Sequence, residues 1–109
     1  MLPETVSRGD AVFNVAHAAL TLVRLLRDPG RLGPVMRDRL HQDARLALAP
    51  EVRNLFERLR SEGVPVCVSG SGPTLLAFEG DGISVPDPGD GWRILRVPVR
   101  TVGVEILVG

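Results

Sequence analysis

The chain has 109 residues, 44% of them hydrophobic, which is enough for one domain with a real core and too little for two ordinary ones. Thirteen basic and thirteen acidic residues cancel, which argues against the positive footprint that nucleic acid or an anionic membrane requires. All thirteen basic residues are arginine, so lysine chemistry is excluded within this sequence: no general-base, Schiff-base or phosphate-loop lysine is available.

Taken in chain order, the first predicted element is a helix from Ser7 to Arg27. Ser7 and Asp10 stand at capping-box spacing, and Val12, Phe13, Ala16, Ala19, Leu20, Val23 and Leu26 recur at three- and four-residue steps, predicting one broad apolar face. Asp28, Pro29 and Gly30 end it. No N-terminal signal pattern is expected, nor any apolar run near the ~20 residues of a membrane span, and the chain is expected to be cytoplasmic.

A shorter helix is predicted between Arg31 and Gln42, with Pro34 in its first turn and Val35, Met36, Leu40 and Leu32 facing inward. A third runs from Pro50 to a stop at Gly63, with Val52, Leu55, Phe56 and Leu59 on its buried face. Its charged face, Glu51, Arg53, Glu57, Arg58, Arg60 and Glu62, reads as solvated surface.

After Gly63 the period changes. Val64 to Val68 and Thr74 to Phe78 are β-prone runs joined by Ser69 to Pro73, and the Gly, Pro and Asp cluster from Glu79 to Gly91 reads as an exposed loop. Two more strands are predicted at about 93–99 and 102–108, with Pro98 favouring an edge or a bulge. Three helices followed by four strands predict an α+β layer, with the helices on one face of an antiparallel sheet.

Three places could carry chemistry. The turn SGSGPT, Ser69 to Thr74, combines Gly70 and Gly72, which allow unusual backbone angles and close approach, with the hydroxyls of Ser69, Ser71 and Thr74; this suits an anion, although most such turns are only turns. It lacks the Lys-Ser/Thr ending of a Walker loop. In DRLHQDAR, Asp38, His41 and Arg45 share one helical face if the helix continues, yet with two histidines and no Cys/His pattern a structural role for His41 is favoured over metal binding. Arg45, near a loop, could hold a carboxylate through two parallel bonds or be a plain surface arginine. The single cysteine, Cys67 between Val66 and Val68, is expected to pack as a small hydrophobe.

DAVFN (Asp10 to Asn14), DRLHQDAR followed by Pro50, and SGSGPTLLAF (Ser69 to Phe78), in this order, resemble the homoserine kinases of the GHMP small-molecule kinase superfamily. The resemblance implies a single C-terminal domain over residues 1–109, with a ferredoxin-like sheet. It implies transfer of the ATP γ-phosphoryl group to the side-chain hydroxyl of L-homoserine, on the route to threonine. Arg45 then contacts the carboxylate of homoserine. Ser69, Gly70, Ser71, Gly72, Pro73 and Thr74 line the nucleotide cleft beside a phosphate loop. That loop, the acidic Mg²⁺ ligands and the catalytic residues are expected on an N-terminal domain outside this sequence, so the chain alone is expected to be inactive and to bind neither ATP nor Mg²⁺ tightly. Ala44 stands where the family often has an aromatic residue, and the Glu79 to Gly91 loop replaces a helix, which predicts a less covered sheet face. The alternative is an orphan domain of this kind acting as a small-molecule-binding or protein-interaction module. Exposed apolar surface at a domain boundary predicts self-association into a homo-oligomer.

Overall fold

The computed structural model describes residues 2–108. Its first helix, α1 (Arg8–Arg27), starts as its sequence predicts: the Asp10 amide donates to Ser7 Oγ at 3.0 Å. At its other end Arg24 donates to Asp28 at 3.1 Å, favourably placed against the helix dipole. None of its residues is buried, however, and Val12, Val15, Leu22, Val23 and Leu26 are more than half exposed. The predicted apolar face exists, but the described residues do not cover it. At twenty residues α1 is also long and apolar enough to cross a bilayer by length and composition, contrary to the sequence expectation.

No α-helix forms where the second was predicted, between Arg31 and Gln42; the chain instead makes two 3-10 turns, Pro29–Arg31 and Gly33–Val35. Pro29 and Pro34 lack the amide that a continuing α-helix would use, and Gly30 and Gly33 raise its entropic cost. Leu32 and Met36 are nonetheless buried, as expected. Helical structure resumes only at α2 (Gln42–Ala47).

The third helix, α3 (Pro50–Ser61), buries Val52, Leu55, Phe56 and Leu59, the four residues of its predicted face. Its end is a Schellman motif: Val64 N–H donates to Leu59 O and Gly63 N–H to Arg60 O, both at 3.0 Å, with Gly63 at φ +81. The chain then enters β1 (Val66–Val68), which pairs antiparallel with β2 (Leu75–Ala77) in the register Val66↔Ala77, Cys67↔Leu76, Val68↔Leu75. The core lies between this hairpin and α2 and α3: Leu46, Val52, Leu55, Phe56, Leu59, Val64, Val66 and Val68 form one buried cluster. Cys67 is half-buried, and burial pushes its thiol above the usual range, in keeping with a packing role.

The α+β class holds, but among the described residues the sheet has two strands rather than four. The segments predicted as strands, about 93–99 and 102–108, form no strand and have no ladder partners among the described residues, and Val97, Val99, Val104 and Ile106 are exposed. Pro98 withholds an amide, and Gly103 adds nothing to pack, so neither segment carries a strong register signal. The helices also do not share one sheet face: α2 and α3 pack against β1, while α1 packs against the 3-10 turns. The 79–91 loop contributes more than expected, placing Ile83 and Val85, with Trp92 beyond it, against the core. With so much apolar surface on α1 and beyond residue 93, light scattering of the isolated chain at high concentration should give a mass above that of one chain. A monodisperse monomer would refute this.

Candidate functional site

The site is organised by Asp38. Its Oδ2 accepts the amides of Leu40, His41 and Gln42 at 3.1, 2.8 and 2.7 Å, and its Oδ1 accepts Asn14 Nδ2 at 2.7 Å. Three amides on one carboxylate oxygen fix the start of α2, and the Asn14 bond ties that start to α1. Asn14 Oδ1 in turn accepts the Arg39 amide at 2.7 Å, and the Arg39 guanidinium lies 3.7 Å from the centre of the Phe13 ring. Burial pushes the Asp38 carboxyl upward, but the Gln42, His41 and Asn14 bonds together with the His41 ring outweigh it and hold the carboxyl below its ordinary value. His41 Nε2 stands 3.5 Å from Asp38 Oδ1, while its Nδ1 is buried without a hydrogen-bond partner among the described residues. No group of three His, Cys, Asp or Glu side chains suited to a metal occurs among the described residues.

Arg45 follows one turn into α2. Its Nε is buried without a hydrogen-bond partner among the described residues. It lines a cleft of about 200 Å³ whose other walls include Val52, Val68, Ser71, Gly72 and Pro73. Arg45 and the middle of the SGSGPT turn, 26 residues apart for Arg45 and Ser71, therefore meet in space.

The turn is built from the hairpin outward. Ser69 N–H donates to Thr74 O at 2.8 Å, Gly72 N–H donates to Ser69 O at 3.0 Å, and Gly70 and Gly72 sit at φ +58 and +79. A Cβ on Gly72 would stand 3.3 Å from Val68 Cγ1, so the turn folds tightly over the end of β1. Gly72→Ala combines this contact with left-handed backbone strain and should cost about 1–3 kcal/mol in urea unfolding. Gly70→Ala, whose Cβ meets nothing within 4 Å, should cost less, and an equal loss would show that packing on Val68 is unimportant.

The six predicted turn residues do not act as one wall. Ser71, Gly72 and Pro73 face Arg45, whereas Thr74 and Pro73 border a second, apolar groove lined also by Leu75, Trp92 and Val99. One residue was not anticipated from sequence. Gln42 is only 5% exposed, and its Oε1 accepts Val68 N–H at 3.0 Å. Asp38, predicted on one helical face with His41 and Arg45, instead precedes α2 and takes up the amides that lead into it; the signal is an Asp whose carboxylate can accept amides two to four residues on, where a helix begins.

Comparison with known proteins places this geometry in a family. Residues 16–81 match the family model for the GHMP kinases C terminal. The chain belongs to that family. It is 38% identical to a homoserine kinase of Streptomyces avermitilis, over 98% of this chain and 36% of that protein. A homoserine kinase of Streptomyces coelicolor is 46% identical over 72% of this chain and 25% of its own length, and one from Rhodococcus opacus 36% identical over 98% and 32%. The chain thus spans about a third or less of the curated relatives it matches, and the match of residues 16–81 runs from the middle of α1 to the loop beyond β2.

Proposed function

We propose that this chain is the substrate-side C-terminal domain of a homoserine kinase, with residues 1–109 forming one domain. The observation that carries the reading is Arg45 lining a small cleft opposite Ser71–Pro73, in a chain whose relatives are homoserine kinases. A guanidinium suits a carboxylate, because both are planar and can form two parallel bonds. The cleft volume suits an amino acid of homoserine's size. The Ser71–Pro73 segment would close its far side.

The reaction is transfer of the ATP γ-phosphoryl group to the homoserine side-chain hydroxyl, in threonine biosynthesis in the cytoplasm. Phosphoryl transfer depends mainly on positioning and charge stabilisation, and the part assigned to this domain is positioning. The cleft beside Arg45 does not fit the nucleotide or its metal: at about 200 Å³ it is smaller than the roughly 300–1,000 Å³ typical of drug-sized ligands, and no acidic side chain is among its lining residues. The phosphate loop, the Mg²⁺ ligands and the catalytic residues are then contributed by a separate ATP-binding domain, beside which Ser69 to Thr74 would support the cleft.

Two measurements test this. Isothermal titration of the chain with MgATP should give no binding tighter than about millimolar, corresponding to roughly 4 kcal/mol. The protein that carries the domain together with its ATP-binding partner should phosphorylate L-homoserine in preference to mevalonate or galactose. Submicromolar MgATP binding to the chain alone, or indifference to homoserine, would refute the assignment.

A further inference from the structure

We propose that Gln42 is a positioning residue: its side-chain carbonyl locks the end of β1 to the helix that bears Arg45, and so sets the width of the cleft between Arg45 and Ser71–Pro73. The inference rests on the reading of Arg45 as the carboxylate anchor and adds to it the device that fixes the anchor's distance from the opposite wall.

Successive amides of a strand point to opposite edges. Ser69 N–H bonds across the hairpin to Thr74 O, so Val68 N–H faces the outer edge of β1, where a further strand would otherwise take it up. Gln42 Oε1 takes its place at 3.0 Å, in a buried setting. Val68 is the last residue of β1 and directly precedes the turn, and it lines the same cleft as Arg45 and Ser71. A Cβ built on Gly72 would stand 3.3 Å from Val68 Cγ1, so the turn lies close over Val68. On the other side, Gln42 is the first residue of α2, and its own amide is held by Asp38 at 2.7 Å. A six-residue helix has little stability of its own and takes its orientation from such ties. Arg45, three residues on, moves with it. One side chain therefore bridges the two walls of the cleft.

The test is backbone amide exchange and NMR of the chain with Gln42→Met and Gln42→Glu. Gln42→Met keeps the bulk and removes the acceptor; exchange at Val68 and Ser69 should quicken about tenfold, and the Arg45 Nε–H resonance should shift, while exchange across α3 stays within about twofold. Gln42→Glu keeps an acceptor oxygen and should restore both signals. A change confined to Val68 and Ser69 with the Arg45 resonance unmoved overturns the proposal, because Gln42 would then satisfy an amide and nothing more. Loss of protection throughout α3, or no restoration by Gln42→Glu, overturns it as well. Titration of the unmutated chain with L-homoserine isolates the underlying reading: an Arg45 resonance that ignores homoserine removes the carboxylate anchor, while the Gln42 link is still decided by the two variants.

Discussion

Replacing Arg45 by alanine in a protein that carries this domain and phosphorylates homoserine is expected to lower kcat/KM for homoserine by about 30- to 300-fold. The estimate follows from losing a charge-assisted contact worth about 2–3.5 kcal/mol in a partly enclosed cleft. Because the carboxylate lies away from the hydroxyl that receives the phosphoryl group, the contact is made equally in ground and transition states, and the loss should appear mainly in KM. The KM for ATP should change less than about twofold. An acceptor with homoserine's amine and hydroxyl but no carboxylate should be used equally poorly by both proteins, since for it the guanidinium has no partner. Arg45→Lys should recover only part of the loss, because an ammonium lacks the planar fork. An unchanged homoserine KM in Arg45→Ala would remove Arg45 from the site.

Asp38→Ala should destabilise the fold by about 2–4 kcal/mol, the largest effect expected of any polar substitution here. It strips one acceptor from the Leu40, His41 and Gln42 amides and another from Asn14, and the side chain is only 16% exposed, so water replaces these bonds poorly. The effect should depend on pH in one direction. The folded carboxyl lies below its ordinary 3.8, so the folded state holds the ionised form more strongly than the unfolded chain does. That stabilisation is complete above the unfolded value and disappears as pH falls through the folded one. Denaturant titrations of the unmutated chain and of Asp38→Ala should therefore differ most near neutrality and converge in acid. A difference that stays constant to low pH would mean that the carboxylate's charge is not what caps α2.

The legible parts of the sequence were those with local signals. Ser7 marked the start of α1, Gly63 the end of α3, and Val52, Leu55, Phe56 and Leu59 its buried face, because caps and 3.6-residue periodicity are written within a few residues of where they act. The hairpin around SGSGPT was legible for the same reason. What depended on distant partners was not. The segment after Asp28 carries helix-compatible apolar spacing, yet Pro29 and Pro34 divide it into 3-10 turns. Residues 93–108 alternate like strands, but a strand exists only where a neighbour offers a matching register, and no local feature reveals whether it does. In the site, Arg45 reads from sequence as either a carboxylate holder or a plain surface arginine, and only the family resemblance favours the first. Its approach to Ser71, and the bridging role of Gln42, depend on contacts across 26 residues that no periodicity encodes.

The way α1 is attached has a consequence for how the molecule opens. It adds no residue to the buried cluster; it packs against the 3-10 turns and makes polar ties, Asn14 to Asp38, Thr21 to Val35 O at 3.2 Å, and Arg39 against Phe13. Such ties can be exchanged for water at little cost, whereas parting α3 from the hairpin exposes the whole apolar cluster. Amide exchange is therefore expected to be faster in α1 than in α3, with Asp38 bonded to both α1 and the start of α2. An outward swing of α1 would first be felt at the cap of the helix that carries Arg45, so a surface helix with no share in the core still has a mechanical line to the cleft.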